Sequence, residues 1–131
     1  MSTYSEQKRF TDWLKGEVQN PTDFSRDEIT ILSGQGVLTT GMILGKITSS
    51  GKWVRLDIGA SDGAGAGTAA GILLTDSVDA TSADQRAVAI VRDAVVSDNG
   101  IIWDTGVTSD AQKVTAKAQL ASVGIIVRTG V

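Results

Sequence analysis

Gly34-Gln-Gly-Val-Leu-Thr-Thr-Gly-Met-Ile-Leu-Gly-Lys-Ile47, followed at once by Thr48-Ser-Ser-Gly-Lys-Trp-Val-Arg-Leu-Asp-Ile58, is the stretch on which the fold turns. Its short apolar pieces, Val37-Leu38 and Met42-Ile-Leu44, are punctuated by single glycines, a rhythm of strands and turns rather than of helix. Ser49-Ser-Gly51, between Ile47 and Trp53, is a hairpin signal. From Lys52 onward the residues alternate. Val54, Leu56 and Ile58 fall on one face of the expected strand, and Trp53, Arg55 and Asp57 on the other. Working outward, Ile29-Thr-Ile-Leu32 precedes the stretch as a short apolar run. Gly71-Ile-Leu-Leu74 and Ala87-Val-Ala-Ile-Val91 follow it as expected core strands. Asp62-Gly-Ala-Gly-Ala-Gly67 reads as a loop and Asp98-Asn-Gly100 as a turn. Ile101-Ile-Trp103 and Gly124-Ile-Ile-Val127 complete a chain that is expected to be mainly β.

One helix interrupts the strands. Thr108-Ser109-Asp110 supplies an N-cap and a negative charge at its start, and Gly124 a stop. Ala111, Val114, Ala118 and Ala121 form a narrow small-residue stripe, expected to lie against the sheet, with Lys113 and Lys117 flanking it.

The first part of the chain differs from this body. Only one of the 15 glycines, Gly16, falls before position 34, while four of the six aromatics, Tyr4, Phe10, Trp13 and Phe24, fall before position 25. Pro21, the one proline, favours an extended or turning backbone nearby. The composition therefore suggests an N-terminal arm over residues 1–26 and a β-rich body over 27–131. Thr3-Tyr-Ser-Glu6 fits a capping box, and Phe10, Trp13, Leu14 and Val18 share one helical face, so the arm is expected to carry a short amphipathic helix. Such an aromatic arm either packs on its own body or anchors on a partner.

Composition removes whole classes of chemistry. The 131 residues contain neither cysteine nor histidine, which excludes thiolate nucleophiles, imidazole bases, disulfides and zinc sites built from those ligands. A net charge of −3 argues against a nucleic-acid binder, and no apolar run is long enough for a membrane helix. The glycines at 63–67 lack the following helix that a phosphate-cradling loop needs. Asp57 with Asp62, and Asp76 with Asp79, sit at expected strand ends where turn chemistry favours aspartate, so they read as solvated turn residues rather than an acid/base pair. Ser49, Ser50 and Lys52 lack the burial that would activate a nucleophile. Lys52 at a hairpin tip leaves open a second reading, a β-clip-like ligand-binding or carrier domain modified at that lysine. Its neighbours, Gly51 and Trp53, are not those of such carriers.

The order and spacing of residues 34–47, Gly51-Lys-Trp-Val, Asp62-Gly, Ala70-Gly-Ile-Leu73, Ile101-Ile-Trp103, Ser109-Asp-Ala-Gln-Lys113 and Gly124-Ile-Ile-Val127 resemble the tailed-phage head decoration proteins of the lambda protein D type. The resemblance implies a β-clip-like fold and a homotrimer without enzymatic activity or cofactor. It implies a virion location: the outer surface of an expanded phage head, at three-fold and quasi-three-fold sites, with the host cytoplasm as the place of assembly. The partner would be the major capsid protein, and the role would be to hold the head against internal DNA pressure. In such proteins the N-terminal segment adds a strand to the coat protein. Carried over by position, that docking strand would be Phe24, Ser25, Arg26, Asp27, Glu28, Ile29, Thr30 and Ile31. Phe10, Trp13, Leu14 and Val18 have no counterpart in that pattern; as an additional anchor they would contact a neighbouring capsomer or trimer, or brace their own trimer. The helical, aromatic character of the arm departs from the family pattern.

Overall fold

A computed structural model describes residues 13–17, 25–57, 67–98, 100–103 and 110–128. Among them run β1 (Leu14–Glu17), β2 (Arg26–Ile31), β3 (Gly36–Thr39), β4 (Ile43–Lys46), β5 (Trp53–Arg55), β6 (Ala69–Leu73), β7 (Ser77–Ala80), β8 (Gln85–Ile90), β9 (Ala94–Ser97), α1 (Asp110–Ser122) and β10 (Ile125–Arg128). The expectation of a mainly β chain with one helix near its C-terminus holds.

Five strands close into a barrel in the order β2-β5-β4-β6-β8. Its longest seam is the antiparallel β2–β8 ladder, from Arg26↔Ile90 to Ile31↔Gln85. Its shortest is the parallel β2–β5 contact, made at Ile31↔Trp53 and helped by the Leu32 N–H, which donates to the Trp53 carbonyl at 2.9 Å. The turn at residues 48–51 forms as the sequence predicts: the Gly51 N–H donates to the Ile47 carbonyl at 2.8 Å, and β4 pairs antiparallel with β5.

Side chains from all five strands meet in one cluster: Ile29, Ile31, Leu44, Trp53, Leu73, Ala87 and Ala89. That cluster is therefore the barrel lumen, and Leu38, Val78 and Ala80 of the β3–β7 ribbon complete it. The other face of the same strands is also buried. Ile43, Ile72 and Ile90 stand in register across β4, β6 and β8, and belong to a second cluster with Trp13, Val96, Ala116, Leu120 and Ile125. This outer layer is roofed by α1 and by the sheet β1-β9-β10, in which β9 pairs antiparallel with β1 and parallel with β10. A strand buried on both faces shows continuous rather than alternating apolarity. Residues 53–54 illustrate this, since Trp53 and Val54 are both buried.

Several expectations are corrected. Of the residues expected in an amphipathic helix, Phe10 and Val18 lie outside the described residues, while Leu14 lies in an extended strand and Trp13 in the turn before it. The apolar spacing arises because Trp13 and Leu14 both turn into the outer layer. β2 begins at Arg26, and β1 pairs with β9. The α1 stripe is reversed: Ala111, Val114, Ala118 and Ala121 are exposed, whereas Ala116 and Leu120, one turn apart, are buried. Gln119 fixes that rotation by accepting the Ala69 N–H at 2.8 Å, at the head of β6. Ile101-Ile-Trp103 contributes only an isolated bridge, Met42↔Ile102, rather than a strand.

The reversal has a measurable consequence. Leu120→Ala should cost about 2–5 kcal/mol by cavity formation, while Val114→Ala should stay within about 0.5 kcal/mol. Denaturant unfolding of the two variants distinguishes the faces, and equal losses would contradict this orientation.

Candidate functional site

Trp13 is wholly buried. Its ring lies against the turn between β3 and β4: a Cβ added to Gly41, whose φ is +93°, would meet the ring at 3.1 Å and the Gly100 carbonyl at 3.0 Å. A side chain there would clash, and L-residues also avoid that φ. The indole N–H donates to the Thr40 hydroxyl at 3.0 Å, and that hydroxyl donates on to the Leu74 carbonyl at 2.9 Å. The Trp13 carbonyl accepts the Ser97 N–H at 2.7 Å, continuing the β1–β9 ladder. The apolar body of the indole and its single donor are thus both satisfied, as a buried tryptophan requires. Trp13 is thus a plug of the chain's own core, with Leu14 packed beside it.

The expected docking strand is also largely committed. Phe24 lies outside the described residues. Ser25 is buried, its carbonyl accepting the Val91 N–H at 2.9 Å and its hydroxyl donating to the Asp93 carbonyl at 2.7 Å. Asp93 holds a positive φ of 49° at this junction. From Arg26 to Ile31 the chain is a barrel stave, with Ile29 and Ile31 pointing into the lumen. Because Ser25 and Val91 form a hydrogen-bonded pair, alternation turns the main-chain groups of Glu28 away from β8. Among the described residues, β5 reaches that far edge only at Ile31. The exposed side chains of β2 are held by ion pairs. Asp27 receives both terminal nitrogens of Arg92, at 2.7 and 3.2 Å, and this raises the guanidinium's pKa further. Glu28 pairs with Arg86 at 2.9 Å.

Of the remaining candidate groups, Lys52 and Asp79 serve as structural fastenings, and Asp62 lies outside the described residues. The Lys52 ammonium lies 2.7 Å from Asp84, whose carboxylate also accepts the Ser33 N–H at 2.8 Å. One carboxylate thereby ties the β2–β3 turn, the β4–β5 hairpin and the β7–β8 turn. The bond from Lys52, then that from Ser33, holds the Asp84 pKa below its usual value. Asp79 accepts both the hydroxyl and the N–H of Thr81, and these bonds lower its pKa likewise. A concavity of about 370 Å³ is lined by Lys46, Thr48, Thr68 and Ala70. Among its described lining residues, Lys46 stands over the Trp53 ring at 5.8 Å. Among the described residues no cluster of three or more acidic groups could hold a metal ion. Sequence reasoning missed the seat formed by Thr40 and Gly41, because Thr-Gly reads there only as turn punctuation.

The described residues thus form a closed β barrel with a buried outer layer, in which Lys52 and Asp79 are engaged in bonds between or within turns. The chain belongs to the bacteriophage lambda head decoration protein D family, whose model matches residues 3–125. That is a family of structural phage capsid proteins rather than of enzymes, so this chain decorates and binds a capsid, at the surface of the virion head. No curated protein matches the chain.

The Asp84 fastening predicts a pH effect of definite sign. A carboxylate with a depressed folded-state pKa stabilises above its unfolded value, near 3.8, and loses that contribution as the pH falls through the folded value. The melting temperature of Asp84→Asn should therefore lie below that of the unaltered chain at pH 7. The gap should close as acid is added below that range. A gap constant with pH would contradict the assignment.

Proposed function

We propose that the chain acts as a homotrimer on the outside of an expanded phage head, at three-fold and quasi-three-fold sites. There it binds the major capsid protein and holds the shell against the pressure of packaged DNA. The family match over residues 3–125 carries this reading. Three copies engaging one site gain from high effective concentration, so a modest contact per copy yields firm attachment.

The docking segment in this reading is residues 1–12, with Phe10 as its anchor. Two observations support this choice over residues 24–31. Trp13 and β1 are built into the body, and β2 spends one whole edge on β8. In this reading the segment ahead of Trp13 adds to a coat-protein sheet edge through its main chain. The far edge of β2 is the alternative docking strand.

Truncation separates these roles. Removal of residues 1–12 should leave a folded trimer that no longer decorates expanded empty shells, judged by imaging and by light scattering. Removal of residues 1–26 takes out the Trp13 plug and β1. It should destabilise the body by about 3–5 kcal/mol or more, the usual cost of losing a buried tryptophan alone. If the shorter truncation still decorates shells, docking belongs to the far edge of β2. A monomeric chain that ignores shells would overturn the reading altogether.

A further inference from the structure

We propose that the outward face of the roof, where α1 lies beside β10, is the surface by which copies of this chain meet around the three-fold axis of the trimer. The inference rests on the proposed homotrimer and names the face that makes it.

Among the described residues four large apolar side chains are exposed: Val37, Val114, Val123 and Ile126. Three of them come from one stretch, α1, the turn after it and β10. These share one side of the layer. Ala116 and Leu120 turn to the barrel wall, so Val114, 65% exposed, turns away from it. Ile125 and Val127 pack on the outer core, so alternation turns Ile126, 41% exposed, outward. Val95 stands beside Ile126 in register on β9 and carries the band across the sheet.

A surface helix normally holds its charges on the side that faces water. α1 does not. After Asp110 its exposed residues are Ala111, Val114, Thr115, Ala118, Ala121 and Ser122, none of them charged. Its two lysines are drawn to the flanks. The Lys113 ammonium lies 5.9 Å from the centre of the Trp103 ring, and that of Lys117 lies 3.8 Å from the Asp98 carboxylate. The Thr115 hydroxyl donates to the Ala111 carbonyl at 3.0 Å and the Ser122 hydroxyl to the Gln119 carbonyl, so both are satisfied without water.

An apolar band of this kind marks a contact surface. Its lack of charge selects the occupant. A different protein can answer a lysine with an acid. Residues at a three-fold axis meet their own copies, so a charge there meets two of like sign. The face that fits such an axis is apolar and neutral along its middle, as this one is. The exposed charges of its two elements, Asp110 and Arg128, stand at their ends.

Light scattering on the full chain in solution tests the face. The unaltered chain should have three times the mass of one copy. Val114→Glu and Ile126→Glu, both at exposed positions, should keep the circular dichroism of the body and fall to the mass of a single copy, with association weakened about 100-fold or more. Val37→Glu, on the β3–β7 ribbon, should stay trimeric, and so should Val114→Ala, which keeps the band apolar. Spin labels give a second readout that disrupts nothing. The chain has no cysteine, so a label on Ala118→Cys should report a shorter distance between copies than one on Val37→Cys. A trimer that withstands both glutamates, or whose labels lie closer at 37 than at 118, overturns this face and leaves the homotrimer standing. An unaltered chain with the mass of one copy overturns both.

Discussion

Burial of one indole governs how this chain is assembled. Trp13 sits early in the sequence, yet its contacts are with Thr40, Gly41, Leu74 and Ser97. Its ring fills space between the barrel wall and the β1-β9-β10 roof, and its polar atoms join the hydrogen-bond pattern of both layers. Several otherwise separate features follow from that need. Gly41 takes a positive φ to give the ring room. Thr40 is buried because its hydroxyl must link indole to carbonyl. β1 runs extended because its carbonyls and amides are needed by β9.

The barrel obeys a second constraint, imposed by two-sided burial. Rows such as Ile43–Ile72–Ile90 face the roof while Leu44, Leu73 and Ala89 face the lumen. Where the lumen is crowded the sequence thins to glycine. A Cβ on Gly71 would lie 2.8 Å from the Ile90 carbonyl and 3.1 Å from the Trp53 ring. Trp53 thus occupies volume that a side chain at 71 would claim, and Lys46 covers it from outside. With both faces of the barrel wall engaged, the polar groups left at the surface are drawn into ties between turns. Such a surface suits a protein whose task is to persist on a capsid.

Much of the strand content could be read directly. Glycine punctuation and apolar runs located β3, β4, β6, β8 and β10, and the Ser-Ser-Gly turn located the β4–β5 hairpin. β7 and β9 were missed. β7 carries two exposed polar residues, Ser77 and Asp79, in four, and β9 is a short run, Ala94-Val-Val-Ser97, recognisable only once its two partners are known. Strand β1 was not legible because Trp13 and Leu14, adjacent in sequence, both serve one core, a pattern that helix and strand spacing share over so few residues. For α1 the alanines were equivocal: small side chains satisfy either face, and Leu120 with Gln119 set the rotation.

The sequence by itself determined the class of the protein: β-rich, with a late helix, without the side chains of common catalysis, and with the glycine spacing of its family. Local pattern suffices for these because turns, alternation and missing residue types are written within a few positions. Only the tertiary structure decided which leading residues belong to the core, which face of the helix is covered, and that residues 26–31 are a barrel stave. Each of those depends on a partner more than 30 positions away, β1 on β9, Gln119 on Ala69, and β2 on β8. No local pattern records which distant surface will be there to meet it.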